Sequence, residues 1–82
     1  MPDLTGKTYV MTGRFSRFKN RETVADMIRA AGGAVANKVT ANTTALITNT
    51  PNSGTKKNKD ARLYGVDVIT EQEFYDKTGI LD

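Results

Sequence analysis

Apolar and polar positions along this chain follow two periods, and each change of period marks a new element. Lys7 to Met11 carries the β-formers Thr8, Tyr9 and Val10, and predicts a strand that Thr12-Gly13 ends. Asn20 is a good helix N-cap. After it Val24, Met27, Ile28 and Ala31 recur at i, i+3, i+4 and i+7, an amphipathic stripe that predicts a helix over 21–31. Gly32-Gly33 stops that helix. Ala34–Asn37 is a short second strand. Thr44–Thr48 is a third, and its Ala45-Leu46-Ile47 is apolar enough to be buried on both faces. The polar stretch Asn49–Gly54 reads as a loop. Thr55 caps a second helix over Lys56–Tyr64, closed by Gly65, and Val66–Ile69 is a fourth strand. Thr70 and Glu73 have the spacing of a capping box and open a short third helix anchored by Phe74. Gly79 ends it, and Ile80-Leu81 are expected to fold back onto the core.

The order β-α-β-β-α-β-α predicts an α/β domain, with a four-stranded, mostly parallel sheet flanked by three helices. Its 82 residues make one domain, 1–82, without repeat, low-complexity tract or linker. A chain this short buries only about 60% of its unfolded surface. A compact surface site fits it better than a large internal cavity. No apolar run approaches the roughly 20 residues of a membrane span. Met1-Pro2-Asp3-Leu4 lacks the cationic start of a signal peptide.

Cysteine and histidine are both absent. That removes a disulfide framework, a zinc finger and any thiol or imidazole nucleophile or base, so neither metal nor cofactor is expected. Missing cysteine also fits a reducing compartment. Ser16, lysines and carboxylates remain, but no nucleophile–base spacing stands out, and catalysis by this domain is not expected. The bias in charge is mild, 12 Lys and Arg against 9 Asp and Glu for a net +3. Its placement says more. Arg14, Arg17, Lys19 and Arg21 fall in one stretch, and Lys56, Lys57, Lys59 and Arg62 in another. Glu71, Glu73, Asp76 and Asp82 gather near the C-terminus. This segregation predicts one positive face and an anionic partner.

The helix starts sharpen that expectation. A helix N-terminus carries about half a positive charge, so a cation in the first turn destabilises it by roughly 0.3–1 kcal/mol. Yet the first helix opens with Arg21, partly offset by Glu22, and the second with Lys56 and Lys57. Cations there make sense if an anion joins them and the free backbone N–H groups. The plain alternative is that each lysine extends into water. Thr12-Gly13 follows the first strand, and ligand sites of open α/β sheets lie beyond strand carboxyl ends. A threonine hydroxyl and a glycine amide there can both donate to a phosphate oxygen. Phe15 and Phe18, set among cations, either stack on exposed bases or pack under their loop; packing is expected for at least one.

These markers, in this order, resemble a known family. Gly6-Lys7-Thr8-Tyr9-Val10-Met11-Thr12-Gly13 looks like the opening strand of BRCT domains. Asn20-Arg21-Glu22 through Gly32-Gly33-Ala34-Val35 resembles their first helix and its Gly-Gly turn. Val39-Thr40 through Leu46-Ile47-Thr48, Gly54-Thr55-Lys56-Lys57 through Gly65-Val66, and Val68-Ile69-Thr70-Glu71-Gln72-Glu73-Phe74 are similar to the remainder. Phe74 stands where many members carry Trp, and Ala45 where a larger residue is common. The closest likeness is to the subgroup in bacterial NAD-dependent DNA ligases and in the large subunit of replication factor C, the eukaryotic clamp loader. That likeness implies a pocket for a 5′-phosphate on DNA, built from Thr12, Gly13, Arg21 and a second-helix lysine. Counted back from Gly65 the lysine is Lys57; counted forward from Gly54 it is Lys56.

The expected function is therefore a non-catalytic phosphate-binding module at 5′-phosphorylated DNA ends, within a DNA ligation, replication or repair protein. Arg14, Arg17, Lys19 and Lys59 are expected on neighbouring backbone phosphates, with Lys56 available beside them. The alternative is a module that reads a phosphorylated peptide, a role for which Arg and Lys are equally suited. Such a protein would be cytoplasmic and nucleoid-associated in a bacterium, nuclear in a eukaryote. A flavodoxin-like or response-regulator fold is the structural alternative. It needs five strands and, for a regulator, acids after the first strand, where this chain has cations.

Overall fold

A computed structural model describes residues 2–18 and 20–81; Met1, Lys19 and Asp82 lie outside the described residues. The elements follow the predicted order: β1 (Thr8–Met11), α1 (Arg21–Ala30), β2 (Ala34–Ala36), β3 (Ala45–Ile47), α2 (Lys56–Tyr64), β4 (Asp67–Ile69) and α3 (Glu71–Thr78). The strands come out shorter than predicted, by one residue at Lys7, Asn37 and Val66 and by one at each end of β3. The sheet has the order β2-β1-β3-β4 and every pairing in it is parallel. Tyr9 faces Val35 on one side and Ala45 on the other, and Leu46 faces Val68.

Strand alternation sorts the apolar side chains into two cores. Tyr9, Met11, Ala45, Ile47 and Ile69 pack with Val24, Ala25 and Ile28 of α1 and Phe74 and Tyr75 of α3. Val10 and Leu46, one position out of phase, pack with Val39, Ala61 of α2 and Val66. The central strands β1 and β3 are thus covered on both faces, as the apolar run of β3 predicts. Phe74 is fully buried and meets Tyr9 edge-on at 5.1 Å. Beside it a cleft of about 150 Å³ opens where the small Ala45 lines the sheet with Tyr9 and Ile69. Ile80 and Leu81 do fold back against the first core.

The predicted caps form. Asn20 accepts from Thr23 N–H and Thr55 from Asn58 N–H, and Thr70 with Glu73 makes the full capping box. The α1–β2 turn needs glycine at 33, because a Cβ there would stand 2.8 Å from Ile28 Cγ2 and 3.1 Å from Leu4 Cβ. The loop before α2 is held from inside. Buried Asn58 donates through Nδ2 to the carbonyls of Thr50, Pro51 and Ser53, each at 3.1 Å.

Candidate functional site

Parallel strands joined through helices place every strand's carboxyl end and the following helix N-terminus on one rim of the sheet. β1 lies between β2 and β3, so the chain leaves it to opposite sides and a crevice forms beyond its carboxyl end. Gly13 turns the chain there with φ 77°, a left-handed conformation that glycine adopts without strain. It lies against β3's continuation, where an added Cβ would reach the Thr48 and Thr50 hydroxyls at 3.8 and 3.9 Å.

Two depressions adjoin this turn. The larger, an open hollow of about 460 Å³, is lined by Gly13, Arg14, Phe15, Asn20 and Arg21. The smaller, about 130 Å³, is lined by Arg21 and Lys57, with Met11, Glu22, Arg29 and Asn37 among its other walls. Arg21 borders both. Its Nη1 donates to the Met11 carbonyl at 3.2 Å, which holds the guanidinium at the end of β1. The first turn of α2 contains no acid. Around the smaller depression Arg29 is paired with Glu22 at 3.1 Å and with Asp26 at 3.2 Å, which leaves Arg21 and Lys57 as the cations there in no ion pair among the described residues. Cations and helix N-termini brought together in this way suit an anion.

The structure distinguishes the two candidate lysines. Lys57 is half-buried and shares a depression with Arg21. Lys56 points away, its side chain 88% exposed and paired with Asp60 at 3.0 Å. Thr12 sits between the depressions but lines neither, and its N–H donates to the Ile47 carbonyl at 3.1 Å. Arg14 lines the larger hollow. Arg17 and Lys59 are exposed and line neither, and Lys19 lies outside the described residues. Phe15 is buried, and Phe18 packs against the core, edge-on to Tyr75 at 6.4 Å. Both rings therefore serve packing, as expected for at least one of them, and the alternative of base stacking falls away. No helix among the described residues is long and apolar enough to cross a membrane, and no His, Cys, Asp and Glu group suited to a metal occurs among them.

Residues 1–76 match the BRCA1 C Terminus (BRCT) domain family. The chain belongs to the BRCT family. Among curated proteins, it is 49% identical over 71 residues to a DNA ligase of Lachnoclostridium phytofermentans, covering 87% of this chain and 11% of that protein. It is 41% identical over 66 residues to a DNA ligase of Ruminiclostridium cellulolyticum, with 80% and 10% covered. A DNA ligase of Treponema denticola is 36% identical over 76 residues, with 93% and 12% covered. The chain thus spans about a tenth of the length of the curated relatives it matches. A BRCT domain is a non-catalytic module, and the match falls on an accessory part of each ligase rather than on its whole length.

One residue of this BRCT domain's site region went unread in the sequence. By sequence position Glu71, the first residue of α3, belongs with the C-terminal acids, away from the cations. It is instead 2% exposed and lies directly under the basic loop. Oε1 accepts from Ser16 N–H at 2.7 Å, Ser16 Oγ at 3.2 Å and Asn49 Nδ2 at 2.9 Å. Oε2 accepts from Arg17 N–H at 3.0 Å and Tyr75 Oη at 2.6 Å. Burial pushes the Glu71 carboxyl up, but donation from Tyr75, Ser16, Asn49 and Arg17 outweighs it and holds the group at about 2. Burial, then the bond to Glu71 and its charge, push the Tyr75 hydroxyl well above its ordinary range. The only signal in the sequence was an acid at N1 of a helix, which ordinary helix-dipole pairing already explains.

Proposed function

We propose that this BRCT domain is a non-catalytic phosphate-binding module that grips DNA at 5′-phosphorylated ends, as an accessory part of a DNA ligation, replication or repair protein. One observation carries the proposal: Arg21 borders two adjoining depressions, one reaching Gly13 and the other Lys57. A phosphate seated there meets the guanidinium of Arg21, the ammonium of Lys57 and the turn at Gly13, with Thr12 next to it in the chain. Arg14 extends the positive surface along the larger hollow, where a neighbouring backbone phosphate would run. Arg17, Lys56 and Lys59 are left to weaker, outlying contacts. The relatives named DNA ligase support a role in DNA metabolism.

Contacts of this kind position the DNA without reading its sequence, and weaken steeply with salt. The test is a gel-shift titration of the chain with matched duplexes bearing a 5′-phosphate or a 5′-hydroxyl. The phosphorylated end is expected to bind more tightly, by an amount that Arg21→Ala removes. Equal affinity for the two ends refutes the pocket. Binding to phosphorylated peptides with no binding to either duplex transfers the pocket to a protein partner.

A further inference from the structure

We propose that Glu71 and Asn49 are positioning residues for the phosphate pocket: from beneath, they hold the Gly13–Phe18 segment in its binding shape without touching the ligand. The inference rests on the phosphate-binding proposal above.

The segment between β1 and α1 has no regular hydrogen-bond ladder of its own, yet it supplies Gly13, Arg14 and Phe15 to the larger depression. Two groups from other parts of the fold fasten it. Glu71, on α3, takes the consecutive backbone N–H groups of Ser16 and Arg17. Asn49, just after β3, donates through Nδ2 both to Glu71 Oε1 at 2.9 Å and to the Arg14 carbonyl at 3.2 Å. Its Oδ1 in turn accepts from the Glu71 N–H at 3.0 Å. The carboxylate, the amide and the loop therefore form one connected unit, with Tyr75 closing it on the core side. Ionised Glu71 neutralises part of the positive field and occupies the Ser16 and Arg17 amides. Neither amide is then free to draw an external anion deeper into the loop. What faces the hollow is the Gly13–Arg14 end of the segment and Arg21. Preorganising such groups is worthwhile only if their supports are themselves locked, and a buried carboxylate with five donors is such a support.

The experiment uses the whole chain with Glu71→Gln and Asn49→Ala, and with Val39→Ala as a control that loosens the second core, which holds no residue of the loop. Folding is checked by circular dichroism. Loop order is followed by amide exchange at Ser16 and Arg17. The deciding quantity is the ratio of affinities for 5′-phosphate and 5′-hydroxyl duplexes, which a loss of stability alone does not change. Both loop variants are expected to speed that exchange and to cut the ratio by about tenfold, the low end of what removing an outer-shell partner costs a metal site. The control keeps the native ratio. If Glu71→Gln fails to fold, Asn49→Ala, changed at an exposed position, decides alone. A folded variant with the native ratio overturns the positioning role. A native chain that does not distinguish the two ends overturns the phosphate proposal and this inference with it; that arm is read separately from the variants.

Discussion

Replacing Glu71 with Gln takes one acceptor oxygen from a buried group that receives five donated hydrogen bonds. The amide has two orientations. With its oxygen in place of Oε1, it still accepts from Ser16 and Asn49. Its NH₂ then faces Tyr75, whose hydroxyl can turn to accept, and the Arg17 N–H, which cannot. The reverse orientation sets the NH₂ against two N–H donors, Ser16 and Asn49. The better arrangement orphans one backbone donor and turns the surviving charge-assisted bonds neutral. An orphaned donor costs about 1–3 kcal/mol, and charge-assisted bonds are about twice as strong as neutral ones, so the total loss is about 2–4 kcal/mol. The effect depends on pH with a definite sign. Glu71 sits at about 2 in the folded chain against 4.5 ordinarily. As pH falls, the unfolded chain takes up its proton first. The stabilisation is therefore complete above about pH 5 and drains away between about pH 4.5 and 2. Urea unfolding followed by circular dichroism, at several values between neutral and acid pH, measures both effects. The gap between native and variant stability should be widest near neutrality and close toward the acid limit. A neutral gap under about 1 kcal/mol, or one that stays constant with pH, refutes the assignment of Glu71 as an ionised latch.

Two further outcomes follow from the geometry. Lys57→Ala should lower the slope of log affinity against log salt for the phosphorylated duplex by about 1, and Lys56→Ala by clearly less; fluorescence titrations in which Lys56 matters more reverse the assignment. Gly33→Ala forces a methyl to within 2.8 Å of Ile28 Cγ2 and should destabilise the fold by about 1–3 kcal/mol, so an unchanged thermal melt contradicts the packing at that turn.

The fold was legible because its signals are local. Asn20, Thr55 and Thr70 cap helices through their own neighbouring N–H groups, and the capping box at Thr70 and Glu73 needs only four residues of chain. Gly65 and Gly79 close the helices that they were expected to close. Strand ends were less legible: Lys7, Asn37 and Val66 fall just outside their strands, although Lys7 still accepts at its carbonyl from Ala34 N–H at 2.9 Å. The candidate site was legible in part. Arg21 and Lys57 do share a depression. The choice between Lys57 and Lys56 was open, because spacing along the chain gives either residue depending on which glycine starts the count. α2's rotation turns Lys57 toward Arg21 and leaves Lys56 to Asp60, which is why the proposal takes Lys57.

The sequence by itself determined the order of elements, the burial of β3 on both faces and the clustering of cations at two helix starts. Each of these follows from residues near one another in the chain, through side-chain periodicity and backbone capping. The tertiary structure alone decided what lies across the sheet rim. Glu71 and Ser16 are 55 positions apart, and Glu71 and Asn49 are 22 apart, yet they form one hydrogen-bonded unit. No pattern along the chain marks such a pair. An acid at a helix start looks the same whether it faces water or the amides of a distant loop. Only the packing of α3 against β1 and its following loop strips away that water and turns an ordinary surface acid into a buried latch.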